Sequence, residues 1–160
     1  MGKPKIIDAP ERKLIGMRIK TSLSNDQTVS MWQRFMPRRK EIASAIDGIY
    51  YSVQVYPEHF KMADFTPETV FEKWAGIEVI EFTELPEGME STTLASGKYA
   101  IFIHQGPMAT FPKTLQYIYN TWLPQSGYEL DSRPHFEIMG AKYKGPNDPN
   151  SEEEVWIPIR

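Results

Sequence analysis

The feature that most constrains this chain is an order of predicted elements that occurs twice. Strand, helix, strand, strand is predicted for residues 13–84 and again for residues 97–160. Each copy opens on a lysine-led strand, and each ends with two strands of which the second carries a tryptophan. The offset of about 85 to 90 residues is too long for a solenoid repeat. We therefore predict one α+β domain of two tandem βαββ units, with pseudo-two-fold symmetry around a central cleft that would suit a small ligand.

The elements of the first half follow from hydrophobic periodicity. Residues 13–21 and 49–56 alternate or are rich in β-branched and aromatic residues, which predicts strands, and residues 71–80 predict a third. From Val29 the apolar residues fall at helical spacing, and the predicted helix runs to about Ile42. Residues 1–12 carry two prolines and are predicted to be an N-terminal lead-in.

The second half has the same predicted order. Residues 85–97 contain Pro, Gly and Ser without sustained periodicity and are predicted to be a linker. A strand is predicted at 98–104, and a helix at 111–123 with a proline in its first turn. The chain ends in a predicted hairpin formed by residues 134–140 and 153–159.

The terminal hairpin carries the first candidate site. Alternation places Glu137 on the side of its strand opposite Phe136 and Ile138. In the last strand, Glu154 and Trp156 lie opposite a row of branched aliphatic residues. If the apolar rows of both strands face the same core, Glu137, Glu154 and the Trp156 indole lie together on the opposite side of the hairpin. A carboxylate among rings, with no basic residue nearby in sequence, would suit a flat cationic guest. A solvent-facing glutamate on a half-exposed sheet is the alternative.

Composition excludes several classes of function. A net charge of -3 argues against a nucleic-acid-binding surface, and the absence of cysteine excludes disulfides and thiolate chemistry. No apolar run approaches the ~20 residues of a membrane span, and the N-terminus lacks a signal peptide's apolar core. We therefore expect a cytoplasmic protein. The three histidines, His59, His104 and His135, lack metal-ligand spacing, so neither a metal nor another cofactor is expected.

Five stretches of this chain resemble motifs of one known family and occur in the same order as in that family. They are residues 71–79, 85–89, 97–107, 118–130 and the ending formed by 136–138 with 154–159. Together they resemble the GyrI-like small-molecule-binding domain, which also forms the effector-binding half of some AraC-type and MerR-type transcription regulators. The resemblance covers residues 12–160 and implies two tandem βαββ units around an aromatic-lined cleft. The twelve residues before it are too few for a helix-turn-helix module, so a stand-alone member without direct DNA binding is expected.

The resemblance also implies site residues. Drug-sensing members recognise cationic, lipophilic ligands with a buried glutamate, which matches Glu137. Glu154 remains the competing assignment because alternation places it with Trp156. The family's aromatic wall would correspond to Trp156, Tyr51, Tyr99, Trp74 and Phe82.

Three functions remain open from the resemblance. The preferred one is binding or sequestration of a lipophilic, cationic aromatic small molecule, as in multidrug recognition. The second is cofactor-free hydrolysis of cyclopropane-type electrophiles, with Glu137 as general base and Tyr51 or Tyr99 orienting the electrophile. The third is inhibition of a protein partner, which would need an exposed apolar patch instead of a pocket.

Overall fold

The sheet of this protein contains eight strands, and every neighbouring pair is antiparallel. The computed structural model describes residues 2–160. The strands are β1 Lys5–Ala9, β2 Arg12–Thr21, β3 Ala45–Val55, β4 Phe71–Val79, β5 Glu90–Leu94, β6 Gly97–Gln105, β7 His135–Met139 and β8 Glu152–Pro158. Their order across the sheet is β1-β6-β8-β7-β3-β4-β2-β5.

Two helical segments connect the strands. The first is α1, Thr28–Phe35, which tightens into a 3₁₀ helix over Met36–Glu41, where a proline in the first turn removes a backbone donor. The second runs through α2, Phe111–Tyr117, a π-helical turn, Ile118–Trp122, and α3, Leu123–Ser126. Short 3₁₀ turns occupy Met62–Asp64 and Met108–Thr110. Within residues 2–160, none of the helices is long and apolar enough to cross a bilayer.

Each helical segment covers its own part of one face of the sheet. The first helical core, under α1, comprises Ile15, Met17, Met31, Phe35, Ile42, Ala75, Ile77, Val79 and Met89. The second helical core, under α2 and the π-helical turn, comprises Ala100, Phe102, Ile118, Val155, Ile157 and Ile159. The opposite face, which we call the ring face, buries Ala9, Leu14, Tyr51, Val53, Trp74, Leu94, Tyr99, Phe136 and Trp156.

The sheet curls so that the ring face lies inside. Only Pro10 and Glu11 join β1 to β2, although six strand spacings separate these strands in the sheet order. A flat sheet would set them ~29 Å apart, whereas three Cα steps reach at most ~11 Å. Consistent with the curl, the Arg12 guanidinium of β2 lies 4.3 Å from the Trp156 ring centre on β8.

Strands occur in two segments for which no strand was predicted. The lead-in contains β1, and the 85–97 segment, which was predicted to be a linker without secondary structure, contains β5. Neither strand was predicted because neither segment has sustained alternation. Each gains its strand structure by pairing, β1 with β6 and β5 with β2.

The other predicted elements are confirmed within a few residues at their ends. The element orders β2-α1-β3-β4 and β6-α2-β7-β8 match the predicted repeat, and the mixed α and β class is confirmed. A pseudo-two-fold relation between the halves stays a prediction.

Candidate functional site

The register of the terminal hairpin places Glu137 on the helix-covered face of the sheet. Glu137 stands opposite Val155, which belongs to the second helical core, whereas Phe136 stands opposite Trp156 on the ring face. The prediction that Glu137 and Trp156 share a side was therefore wrong. Alternation gives the faces within each strand, but a one-residue change in pairing exchanges the faces between strands.

Between the two helical cores, the helix-covered face carries buried polar side chains. We call this group the central polar strip, and it comprises Ser52, Gln54, Lys73, His135 and Glu137. It lies where β4, β3 and β7 are adjacent, the last two being the strands that join the two halves. Burying polar and charged groups costs free energy unless they are paired. The burial of the strip is therefore not explained by apolar packing alone.

Glu137 is the acidic centre of the strip and is 8% exposed. The amide Nε2 of Gln54 donates a hydrogen bond of 2.9 Å to its Oε1, and the Lys73 Nζ lies 4.0 Å from the same oxygen. Burial raises the pKa of Glu137, and the nearby ammonium and amide lower it. One hydrogen bond and one opposite charge thus stabilise the buried carboxylate.

Sequence reasoning missed Lys73, the basic partner. Lys73 lies on β4, opposite Gln54 of β3, and is 8% exposed. Burial lowers its pKa, while the charge of Glu137 raises it. Alternation on β4 would have placed Lys73 on the face opposite Trp74, but only the strand order brings it to Glu137.

Two tyrosines and a histidine stand beside Glu137. The Tyr119 hydroxyl and the His135 Nδ1 are 2.8 Å apart, and the Tyr56 ring lies edge-on to the His135 ring at 5.0 Å. Tyr119 belongs to the π-helical turn, a local deviation that often occurs at functional sites. Burial, and secondarily Glu137, raises the pKa of Tyr56. Burial lowers the pKa of His135 to about 4, so this ring is neutral near pH 7.

The rings continue from Tyr56 into the connection between β3 and β4. Tyr56 stacks on Phe60 at 5.9 Å and packs against Phe65 and Phe71. Tyr56 and Phe71 also line a surface cavity of about 360 Å³. A second cavity, of about 370 Å³, lies near Arg18, Arg34 and Arg38. Glu137 lines neither of these two cavities.

Glu153 supplies a second carboxylate on the same face. It stands opposite His104 of β6 and lies two positions from Val155, the partner of Glu137. Burial, and then the negative charge of Glu137, raises the pKa of Glu153 to about 7. With all three groups ionised, Glu137, Glu153 and Lys73 carry one net negative charge.

Most residues predicted to line a ligand site lie elsewhere. Tyr51, Tyr99, Trp74 and Trp156 are buried in the ring face, on the other side of the sheet from Glu137. The Tyr51 hydroxyl donates to Glu78, and that of Tyr99 donates to the carbonyl of Ala95. Their part in binding or catalysis stays a prediction.

The two remaining predicted residues also lie away from the strip. Glu154 accepts a 2.8 Å hydrogen bond from the Trp156 indole on the ring-face side. Phe82 is 45% exposed and lies 5.7 Å from the Lys13 ammonium. The structure therefore brings neither of them to Glu137.

Comparison with known proteins places this arrangement in a family. The chain is 33% identical over 156 residues to the transcriptional regulator BrlR of Pseudomonas aeruginosa, covering 97% of this chain and 54% of BrlR. The chain thus spans about half the length of that relative. The solved structure of SAV2435 bound to tetraphenylphosphonium has a TM-score of 0.72 at 15% identity and covers 99% of this chain and 94% of its own.

A hydrolase encoded by lin2189 of Listeria innocua is also similar in fold, with a TM-score of 0.61 at 13% identity over 99% of this chain and 92% of its own. The sequence profile of the GyrI-like small molecule binding domain matches residues 2–160. The chain therefore belongs to the GyrI-like small-molecule-binding domain family.

Proposed function

We propose that this domain binds a lipophilic, aromatic cation at the central polar strip, with Glu137 as the principal counter-charge. The observation that carries the proposal is the burial of Glu137 between two helical cores, beside the rings of Tyr56, Tyr119 and His135. A buried carboxylate beside aromatic faces attracts a delocalised cation through charge and ring contacts together.

The charge balance of the site favours a guest with a single positive charge. Glu137 and Glu153 outnumber Lys73 by one carboxylate when all three are ionised, and His135 is neutral near pH 7. A monocation would neutralise this excess without exposing another buried charge. SAV2435, which shares the fold, has been solved with the monocation tetraphenylphosphonium.

The ligand would enter beside Tyr56. This ring lines the surface cavity of about 360 Å³ and also packs on His135, so it stands between the cavity and the strip. Cavities of roughly 300–1,000 Å³ accommodate drug-sized ligands. Rotation of Tyr56 would join the cavity to Glu137 without breaking a strand. A pseudo-two-fold relation between the halves and a cytoplasmic location remain parts of the proposal.

The proposal is tested with Glu137→Gln and titration calorimetry against tetraphenylphosphonium. We expect affinity to fall at least tenfold, because the variant leaves the Lys73 ammonium without its carboxylate. The uncharged triphenylphosphine oxide should change by less than about twofold.

Glu154→Gln is the matched control, because Glu154 lies on the ring-face side. It should leave both affinities near those of the wild type. An equal loss for the charged and uncharged probes in Glu137→Gln would refute the role of charge.

Hydrolysis is the second candidate function. The raised pKa of Glu137 suits a general base, and the Listeria innocua hydrolase shares the fold. Incubation with a panel of cyclopropane-bearing electrophiles, followed by mass spectrometry, would detect ring opening. Turnover by the wild type and its loss in Glu137→Gln would support an enzyme, whereas rates equal to buffer would leave the binding role.

A further inference from the structure

We propose that Lys73 determines the charge selectivity of this site by acting as an internal counter-ion with which a cationic ligand competes. This inference rests on the proposed function and adds to it a residue that weakens cation binding. The ammonium would thereby weaken the binding of cations to the wild-type site and leave that of uncharged ligands unchanged.

The position of Lys73 is rigid. Its strand, β4, pairs with β2 on one side and β3 on the other, so Lys73 stands between Ile19 and Gln54. Its side chain is 10% exposed, equal to that of Glu137. The strand fixes the backbone of Lys73, and the burial of its side chain keeps the ammonium on the same side of the sheet as Glu137.

The contact between Lys73 and Glu137 is an ion pair and not a hydrogen bond. The Lys73 Nζ lies 4.0 Å from the Glu137 Oε1, which is beyond hydrogen-bonding distance. At this length the ammonium acts on the carboxylate mainly through its charge, because the contact has little directional bonding.

The positive charge of Lys73 would repel a cationic ligand bound at Glu137. Gln54 and Lys73 both face Oε1, so a guest would approach the other carboxylate oxygen while remaining within several ångströms of the ammonium. Like charges at such a distance, in a poorly solvated interior, repel by more than enough to change an affinity about tenfold. Removing the ammonium should therefore strengthen the binding of cations selectively.

A purely structural ion pair predicts a different result. Removing Lys73 would then lower the free energy of unfolding and leave the ratio of charged to uncharged ligand affinity unchanged. The affinity ratio separates the two explanations, since a general loss of packing affects both probes alike.

The experiment measures dissociation constants of tetraphenylphosphonium and triphenylphosphine oxide by titration calorimetry for the wild type and Lys73→Met. We expect Lys73→Met to bind the cation about tenfold more tightly and the uncharged probe within about twofold of the wild type. Lys73→Gln is a second neutral variant that keeps a donor for Glu137, should the methionine variant not fold. Lys113→Met, an exposed lysine on α2, controls for net charge and should change neither affinity.

The outcomes distinguish this inference from the proposed function. If Glu137→Gln weakens the cation but neutral variants at Lys73 do not tighten it, the counter-ion role is overturned and the binding function stands. If Glu137→Gln has no selective effect, the proposed function fails. Tighter cation binding in both Lys73 variants supports the counter-ion role, and binding of neither probe to any form overturns both.

Discussion

Burial controls the charge of individual residues in this site. Desolvation displaces the pKa values of Glu137, Glu153, His135 and Lys73, all on the helix-covered face, toward the neutral form of each group. Glu153 matters most for pH dependence because its pKa of about 7 lies in the physiological range. Its ionisation decides whether Glu137, Glu153 and Lys73 together carry an excess negative charge.

Glu153 should make stability fall as pH rises. Its folded-state pKa lies above the ordinary value, so its contribution is present below about pH 4.5 and is lost as pH rises through about 7. Glu153→Gln removes this dependence, and urea unfolding at pH 5 and pH 8 measures it. The wild type should lose on the order of 2 kcal/mol relative to the variant over this range.

The control for this prediction is Glu84→Gln, at an exposed position in the connection between β4 and β5. Its stability difference from the wild type should be the same at both pH values. Parallel profiles for the wild type and Glu153→Gln would contradict a titrating Glu153.

At the scale of elements, two glycines, Gly16 and Gly76, stand directly opposite each other where β2 pairs with β4. A Cβ built on Gly16 would overlap the Ala75 carbonyl oxygen and lie 2.6 Å from the Gly76 Cα. A Cβ on Gly76 would lie 3.4 Å from the Ile15 carbonyl oxygen, an ordinary contact. The close approach of the β2 and β4 backbones therefore requires glycine at position 16 but tolerates a side chain at position 76.

Gly16→Ala should lower the free energy of unfolding by about 3 kcal/mol, because the backbone must shift in the middle of a paired strand. Gly76→Ala adds the same methyl group across the ladder and should cost less than about 1 kcal/mol. Urea unfolding of both variants tests the asymmetry. Equal costs would show that the β2–β4 crossing relaxes freely.

At the scale of the molecule, Arg12 helps to close the curled sheet. Its Nη1 donates a 3.0 Å hydrogen bond to the Tyr51 hydroxyl of β3, and its guanidinium lies over the Trp156 ring of β8. Neither strand is a neighbour of β2 in the sheet. These contacts connect parts of the sheet that hydrogen-bonded pairing leaves separate.

Arg12→Met should lower the free energy of unfolding by about 1–2 kcal/mol, since it removes a cation–π contact and a hydrogen bond while keeping an unbranched stem. Lys13→Met, one residue along on the other face, is the control and should cost less than about 0.5 kcal/mol. Thermal and urea unfolding measure both. A loss in Lys13→Met as large as that in Arg12→Met would contradict a specific role for Arg12 in closure.

The repeated element order, the positions of six of the eight strands and the choice of Glu137 were accessible from the sequence. Alternation within a strand and the 3.6-residue period of a helix are local properties, so they are readable along the chain. The choice of Glu137 over Glu154 came from family resemblance, and its role as a ligand contact stays a proposal. The two missed strands, β1 and β5, have little pattern of their own.

Only the tertiary structure decided what surrounds Glu137. The register of β7 against β8 put Trp156 on the opposite face, and the strand order brought Lys73 close to the carboxylate. Local sequence determines which residues share a side of one strand, because that depends on backbone geometry alone. Which sides of different strands coincide depends on pairing between distant segments, and that pairing is selected by the packing of the whole sheet.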